Sequence, residues 1–179
     1  DVNHSLNGFF VQEETVDQDG NAATSEGIFV FAGSTDVHLG DLVTVTGNVS
    51  EFFGLTEITA SSITITTGNA VADVHTLAVD VTLPDAAVTL SQNGQYQPDL
   101  ERYEGMLVNF PQTLTISEQF NLDRFNEIRL VQGDRPVQFT QENAPSVAGY
   151  AAELQETGSR TITYDDGLLT QNNPIGTLD

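Results

Sequence analysis

Residues 41–49 read DLVTVTGNV, a run in which apolar and polar side chains alternate. Successive side chains of a β-strand point to opposite faces, so Val43 and Val45 share one face and the threonines share the other. Gly47 interrupts the pattern, and a glycine inside a strand often marks a bulge or a bend. We therefore expect a β-strand here, with an irregularity at Gly47.

The same alternation recurs along most of the chain. The other runs are ITASSITITT (58–67), TLTIS (113–117), EIRLV (127–131) and RTITY (160–164). Pairs such as Gly40-Asp41 and Asp166-Gly167 separate these runs and are typical of turns. Short strands with frequent turn signals favour a barrel or a sandwich, so we expect a mainly β fold.

Helical periodicity is scarce in this sequence. The run 143–158, NAPSVAGYAAELQETG, predicts a helix of ordinary length, with Pro145 near its start and Gly158 just past its end. Its apolar face comprises Val147, Tyr150, Ala151 and Leu154. We expect one short helix near 145–157.

A change in composition predicts a boundary within the run 68–99, which contains two prolines and an Asn-Gly pair. We interpret this run as a hairpin-like connector between a β-unit at 1–67 and a second β-unit at 100–179. A short internal echo, EGIFV (26–30) against EGMLV (104–108), suggests that the two units are related.

The charge balance is strongly acidic. The chain of 179 residues carries 26 Asp and Glu against five Lys and Arg, a net charge of −21, and all five basic residues are arginine. Such a surface repels itself at low salt, and high ionic strength screens the repulsion. The composition fits a protein of salty water or one that meets Ca²⁺, and it fits an acidic bacterial exoprotein equally well.

Two further features of the composition limit the function. The chain has no cysteine, which excludes disulfides, thiolate catalysis and cysteine-ligated metal sites. No apolar run approaches the roughly 20 residues that a membrane-spanning helix needs, so we expect no membrane span.

Phenylalanine is concentrated in GFFVQ (8–12), SEGIFVF (25–31) and EFFG (51–54). One interpretation is that these rings line the inside of a β-barrel. The other is that outward rings stack on nucleobases, a contact worth about 1–3 kcal/mol per base. Nucleic-acid grooves also need positive charge along the phosphates, and this chain supplies little. Nucleic-acid binding would therefore need high salt, bridging divalent cations or a basic neighbouring domain.

Several blocks, in this order, resemble one protein family. They are GFFVQEE (8–14), SEGIFVF (25–31), LGDLVTVTGNVSEFFGLTEI (39–58), LERYEGMLVNFPQTLTISEQFNLDRFNEIRL (100–130) and YDDG (164–167). Together they resemble the non-catalytic OB-fold region of large secreted bacterial nucleases, in which an endonuclease/exonuclease/phosphatase-type catalytic domain follows.

The resemblance implies OB-fold-like barrel elements, either one with a partial second or two incomplete units. It implies an extracellular location and a binding or scaffolding role beside an adjoining nuclease domain, which degrades DNA with a divalent metal. No histidine of this chain has an acid–base partner at a recognisable spacing, so we expect no catalytic residue and no enzyme activity.

For nucleic acid, we expect base or phosphate contacts from a small set of residues. They are Phe10, Gln12, Phe52, Phe53 and, for phosphate, Arg129. We expect Arg124 instead to tie down a loop.

For metal, the candidate residues are Asp17, Asp19 and Asn21 of DQDGN, whose alternate acidic and amide side chains resemble a calcium loop. Ca²⁺ or Mg²⁺ is the expected ion. The glutamate that an EF-hand needs at its twelfth position is replaced by Ile28, so an acidic turn without metal is the alternative.

A rival function needs no nucleic acid. Unpaired strand edges invite pairing, so the chain could be a structural extracellular β-protein. Such a protein would self-associate through open β edges, by strand exchange, into filaments or a matrix.

Overall fold

The alternating runs fold as β-strands in the computed structural model, which describes residues 6–33, 35–68, 70–85, 87–168 and 170–172. The strands are β1 (Gly8–Gln12), β2 (Gly27–Phe31), β3 (Leu42–Phe52), β4 (Leu55–Thr67), β5 (Val79–Asp80), β6 (Val88–Leu90), β7 (Tyr96–Pro98), β8 (Val108–Asn109), β9 (Leu114–Glu118), β10 (Ile128–Gln132) and β11 (Thr161–Tyr164). The helices are α1 (Leu122–Phe125), α2 (Phe139–Glu142) and α3 (Val147–Ser159), with 3₁₀ turns at Val74–Leu77 and Glu101–Tyr103. The expected mainly β fold is confirmed. Within these ranges, no helix has the length and apolar character needed to cross a membrane.

The strands of the described ranges form four small sheets. β1, β2, β4 and β3 lie side by side in that order, and β11, β10 and β9 form a second sheet. β5 pairs with β8 in parallel, and β6 pairs with β7 antiparallel. A sheet becomes a barrel when its first and last strands pair. β1 and β3 instead lie at opposite edges of the first sheet, so the expected OB-like elements are open sheets in the described part of the chain.

The β3–β4 hairpin is the longest paired element, with strands of 11 and 13 residues. Val43 pairs with Ile65 and Val45 with Ile63. The irregularity expected at Gly47 is confirmed, because the register shifts between Thr46 and Gly47. A Cβ atom on Gly47 would collide with the carbonyl oxygen of Thr59, so glycine is required where the strands draw together.

Helix α3 forms near its expected position but ends later. Ser146 caps it, because its hydroxyl oxygen accepts a hydrogen bond of 3.1 Å from the Gly149 N–H. Gly158 was expected past the end and instead lies inside the last turn, where Tyr96 packs so closely that a Cβ atom would not fit. The two one-turn helices α1 and α2 were not expected, since four residues show no periodicity.

Two compact units divide the chain, and each draws on separate segments. The first unit comprises Asp1–Asp80, Glu101–Asn109 and Gly167–Leu169. The second unit comprises Val81–Leu100, Phe110–Asp166 and Thr170–Asp179. The sequence-based division puts the units one after the other, at 1–67 and 100–179, whereas the structure interleaves them along the chain.

Both units have a small apolar core. Phe29 and Val30 of β2 are buried in the first unit. The buried apolar residues of the second unit are Val81, Leu83, Ile128 and Val131. Val81 and Leu83 fall in the predicted connector 68–99, so part of that run belongs to the core of the second unit.

Candidate functional site

Two phenylalanine rings stand exposed at the tip of the β3–β4 hairpin. Phe52 ends β3 and Phe53 begins the two-residue turn, and they are 59% and 80% exposed. Their ring centroids lie 4.8 Å apart with the ring planes at 88°, an edge-to-face pair. Phe53 and Gly54 have φ angles of 54° and 87°, and positive φ at both positions is the mark of a type I′ turn. The hairpin therefore holds two expected contact residues side by side in solvent.

Phe10 belongs partly to the packing and partly to the surface. It faces Phe29 across the β1–β2 pair, with ring centroids 5.1 Å apart and planes tilted by 58°. Phe29 is buried, whereas Phe10 is 51% exposed and Phe31, two residues further along β2, is 42% exposed. One face of this strand pair therefore offers a second, flatter aromatic surface.

Gln12 is held by hydrogen bonds within the first unit. Its Nε2 donates a 2.9 Å hydrogen bond to the Leu77 carbonyl oxygen, and its Oε1 accepts a 2.8 Å bond from the Leu107 N–H. The amide thus joins β1 to two distant segments of the first unit. A base contact would require breaking these bonds, so the structure gives Gln12 a positioning role.

Arg129 lies on β10, in the second unit, whereas the other four expected contact residues lie in the first. Its Nη1 is 3.8 Å from Glu118 Oε2 and donates a 3.2 Å hydrogen bond to Gln95 Oε1. A phosphate would have to compete with Glu118 for this guanidinium.

Arg124 holds a loop, as predicted. Its Nε donates a 2.9 Å hydrogen bond to Gln171 Oε1, and its carbonyl oxygen accepts a 2.8 Å bond from the Asn172 N–H.

Positive charge is scarce in the first unit, to which the exposed rings belong. Arg102 is the arginine of the first unit, and its guanidinium lies 4.5 Å from the centroid of the Tyr103 ring. The remaining arginines all belong to the second unit: Arg124, Arg129, Arg135 and Arg160. Glu51 precedes Phe52 at the tip and accepts a hydrogen bond from the Thr56 hydroxyl. The tip therefore presents apolar rings beside a carboxylate.

The candidate metal residues lie in the connection between β1 and β2, where they build a turn. Asp19 Oδ1 accepts a 2.6 Å hydrogen bond from the Asn21 N–H, and Asn21 Oδ1 accepts a 3.1 Å bond from the Ala23 N–H. Asp19 Oδ2 also accepts a 3.4 Å bond from the Thr24 hydroxyl. Two of the three candidate side chains thus already satisfy backbone N–H groups of the turn.

A second carboxyl group lies against this turn. Burial raises the pKa of Glu26, and the charge of Asp19, with which it shares a hydrogen bond, raises the pKa further. Among the described residues, no group of three or more His, Cys, Asp or Glu side chains is arranged to hold a metal ion. Ca²⁺ or Mg²⁺ at Asp17, Asp19 and Asn21 stays a prediction.

The two copies of the EG echo touch each other in the first unit, which the sequence pattern did not reveal. A Cβ atom on Gly27 would lie 2.5 Å from the carbonyl carbon and oxygen of Gly105. Glu104 adds hydrogen bonds on both sides, since its carbonyl oxygen accepts from the Ser25 hydroxyl and its Oε2 accepts from the Thr56 N–H at 3.1 Å. Both copies of the echo belong to the first unit, where they lie in contact.

The second unit has an apolar cleft of about 490 Å³ between α2 and the start of α3. Phe139 and Tyr150 line it, with ring centroids 6.0 Å apart. Val147, on the same side of α3, is 90% exposed. The predicted apolar face of α3 therefore points to solvent, and the helix packs through its last turn.

Comparison with known proteins supplies no relative. No protein-family model, no curated protein and no solved structure matches this chain.

Proposed function

We propose that this chain is a non-catalytic binding and scaffolding region of an extracellular nuclease. Its β3–β4 hairpin would contact single-stranded nucleic acid and present it to an adjoining catalytic domain. The observation that carries this proposal is the pair of exposed rings, Phe52 and Phe53, at the end of a long hairpin. The resemblance to the OB-fold region of secreted nucleases supplies the extracellular context.

The hairpin tip has the properties of a stacking platform. Its backbone is held by a two-residue turn, so little conformational freedom is lost when a base stacks on either ring. Every nucleobase has a π-face, and each stacked base contributes about 1–3 kcal/mol without sequence preference. A tip of this kind suits a role in which substrate is held regardless of sequence.

The charge of the protein decides the conditions for binding. A chain with net charge −21 repels phosphates, and Glu51 stands next to the rings. Mg²⁺ or Ca²⁺ would bridge carboxylates and phosphates, so we propose that nucleic-acid binding depends on a divalent cation. The turn residues Asp17, Asp19 and Asn21 are the proposed metal ligands.

The test is fluorescence anisotropy of a labelled single-stranded oligonucleotide, titrated with the full chain with and without 5 to 10 mM Mg²⁺, roughly the range that saturates weak sites. Phe53→Ala should weaken binding about 5- to 150-fold, the equivalent of one lost stacking contact. Phe120→Ala is the matched control, because Phe120 is 84% exposed and belongs to the second unit.

Three outcomes contradict the proposal. They are no change in anisotropy with Mg²⁺, equal loss of binding in Phe53→Ala and Phe120→Ala, and cleavage of the oligonucleotide by the wild-type chain. Cleavage would show that the chain is itself an enzyme.

A second candidate function is assembly through a sheet edge, as a structural extracellular β-protein. One specific observation favours it: β3 lies at the edge of the first sheet over 11 residues and is exposed along most of its length.

A further inference from the structure

Within the described part of the chain, the outer edge of β3 is open along its whole length. In the sheet order β1-β2-β4-β3, β3 pairs with β4 from Leu42 to Phe52 and has no second neighbouring strand among the described residues. Val43 and Val45 are half-buried, and every other residue of the strand is exposed. A strand in this position presents a row of N–H and C=O groups that another strand can pair with.

β3 lacks the features by which proteins usually protect such an edge. Protected edges are short, or carry lysine, proline or a bulge. β3 has 11 residues, no lysine and no proline, and Glu51 near the turn is its one charged residue. The two residues that the register shifts leave unpaired, Ser61 and Thr66, belong to β4, so every residue of the edge strand keeps a partner on β4.

The opposite edge of the same sheet is different. β1 has five residues, and the Gln12 amide at its end is bonded to Leu77 and Leu107. Among the described strands of this sheet, β3 is therefore the longer edge, and no side-chain bond to a distant segment ties its end.

We infer that β3 pairs antiparallel with β3 of a second copy of this chain, centred on Gly47. This inference rests on the second candidate function and names its partner and register. In an antiparallel pair, two residues that lie opposite each other exchange either two backbone hydrogen bonds or none. The register must therefore put even-numbered residues of one β3 opposite even-numbered residues of the other, and odd-numbered opposite odd-numbered. Full overlap of Leu42–Phe52 with itself satisfies this condition and puts Gly47, the middle residue, on the two-fold axis.

Side chains match well in this register. Leu42 faces Phe52 of the second copy, Val45 faces Val49, and Thr46 faces Asn48. Val49, which is 67% exposed in the single chain, thereby gains an apolar neighbour. Side chains that share a face in one copy also share that face with their partners in the other copy, because each pairing joins two even-numbered or two odd-numbered residues.

Charge favours the antiparallel arrangement over the parallel one. Glu51 of one copy lies opposite Val43 of the other, and the two Glu51 side chains are about 26 Å apart along the strands. A parallel, in-register pair would put them directly opposite each other, which is unfavourable. The net charge of −21 on each copy opposes any association at low salt, so pairing requires the screening of roughly 1 M salt, where the Debye length is about 3 Å.

Spin labels measure this register directly. The chain has no cysteine, so a single substitution creates a single labelling site. Suitable variants are Thr44→Cys, Thr46→Cys, Asn48→Cys and Ser50→Cys, all at exposed positions of β3. Electron paramagnetic resonance in about 1 M NaCl should give the shortest distances between copies for labels at 46 and 48. The backbone separations expected there are about 8 Å, against about 20 Å at 44 and 50.

A pair of charge variants tests the same contact without labels. Thr46→Glu puts a carboxylate beside the two-fold axis and should weaken dimerisation about fivefold or more at the lowest NaCl concentration that supports a wild-type dimer, with a smaller effect towards about 1 M, measured by sedimentation equilibrium. Ser62→Glu is the matched control, because Ser62 is the exposed cross-strand partner of Thr46 on the inner strand β4. Circular dichroism checks that both variants are folded.

The outcomes separate this inference from the proposed function. A monomer at every salt concentration overturns both the inference and assembly through the sheet edge, and leaves nucleic-acid binding untouched. A dimer with equal label distances at all four sites overturns the antiparallel register alone. Nucleic-acid binding is measured by oligonucleotide anisotropy and is expected to require Mg²⁺, whereas β3 pairing is measured by sedimentation in NaCl without a divalent cation, so separate measurements tell the two activities apart.

Discussion

Two carboxyl groups, those of Asp19 and Glu26, meet in the β1–β2 connection of an already acidic chain. Burial and the charge of Asp19 raise the pKa of Glu26, so the folded protein binds a proton there more readily than the unfolded chain does. The contribution of this proton to the free energy of unfolding is fully present below the ordinary glutamate pKa of about 4.3 and is lost as pH rises through the raised pKa. At neutral pH this pair therefore works against folding.

Glu26→Gln should raise the melting temperature at pH 7, because glutamine keeps a hydrogen bond to Asp19 and removes the repulsion. The gain should shrink at about pH 4, near the ordinary glutamate pKa, where Glu26 of the wild type is protonated. Thermal unfolding, followed by circular dichroism, measures the melting temperature at each of the two pH values. Glu142→Gln removes one charge at an exposed position and is the control. A gain of equal size in the control, or one that persists unchanged at low pH, would contradict the assignment to this pair.

Among the elements, the contact between β2 and the turn at Glu104–Met106 joins the first and middle parts of the first unit. Gly105 has a φ of 72°, in the region that favours glycine, and Gly27 lies against its backbone. A side chain on Gly27 would meet the Gly105 carbonyl group and the Met106 nitrogen at 2.5 and 2.7 Å, distances at which backbone has to move.

Gly27→Ala should lower the free energy of unfolding by about 1–3 kcal/mol, the usual cost of overpacking. Urea unfolding measures it. Gly68→Ala is the matched control, because its added Cβ would have no neighbour closer than 3.7 Å. Equal free energies of unfolding for the two variants would show that the backbone at the β2 contact moves aside at little cost.

Elements with a local pattern could be predicted from the sequence, and elements set by distant partners could not. The alternation of β3 and β4 and the start of α3 are properties of adjacent residues, and these features form near their expected positions, whereas α3 runs past its expected end. β5 consists of two residues and is paired through Val108, far along the chain, so no window of sequence shows it. The same holds for Gln12, whose partners lie 65 and 95 residues away.

Exposure was the harder property to predict. The sequence EFFG is compatible with rings in the core or at the surface. In the structure, Phe52 and Phe53 lie at a two-residue turn, and both rings are exposed to solvent. The stripe of Val147, Tyr150 and Leu154 indicates a buried face, yet α3 buries Gly158 and Ser159 instead. Close packing of Gly158 on Tyr96 fixes which side of the helix meets the second unit, and a hydropathy pattern does not record a contact made by glycine.

For the whole molecule, charge is the dominant property. Twenty-six acidic residues against five arginines leave the folded chain repelling itself at low ionic strength. The Debye length falls from about 30 Å at 0.01 M salt to about 3 Å at 1 M, so most of this repulsion is removable by salt.

The melting temperature should therefore rise steadily as NaCl increases from about 0.01 to 1 M, the range over which the Debye length falls tenfold. Differential scanning calorimetry at low protein concentration measures it. Running Thr46→Glu alongside the wild type separates screening within one chain from pairing between chains. The salt effect should fade near pH 4, where carboxylates take up protons. A melting temperature that is flat in salt at pH 7 would mean that the acids are already compensated in the fold.

The interleaving of the two units has a consequence for synthesis. β5 ends at Asp80, and its partner β8 begins at Val108, after a segment that belongs to the second unit. A nascent chain that has emerged from the ribosome only as far as Asp80 therefore holds a strand with no partner and lacks the Glu104–Gly105 turn that braces β2. Both contacts wait until the growing polypeptide has passed Asn109, and translation speed across 81–109 sets how long that unfinished intermediate persists.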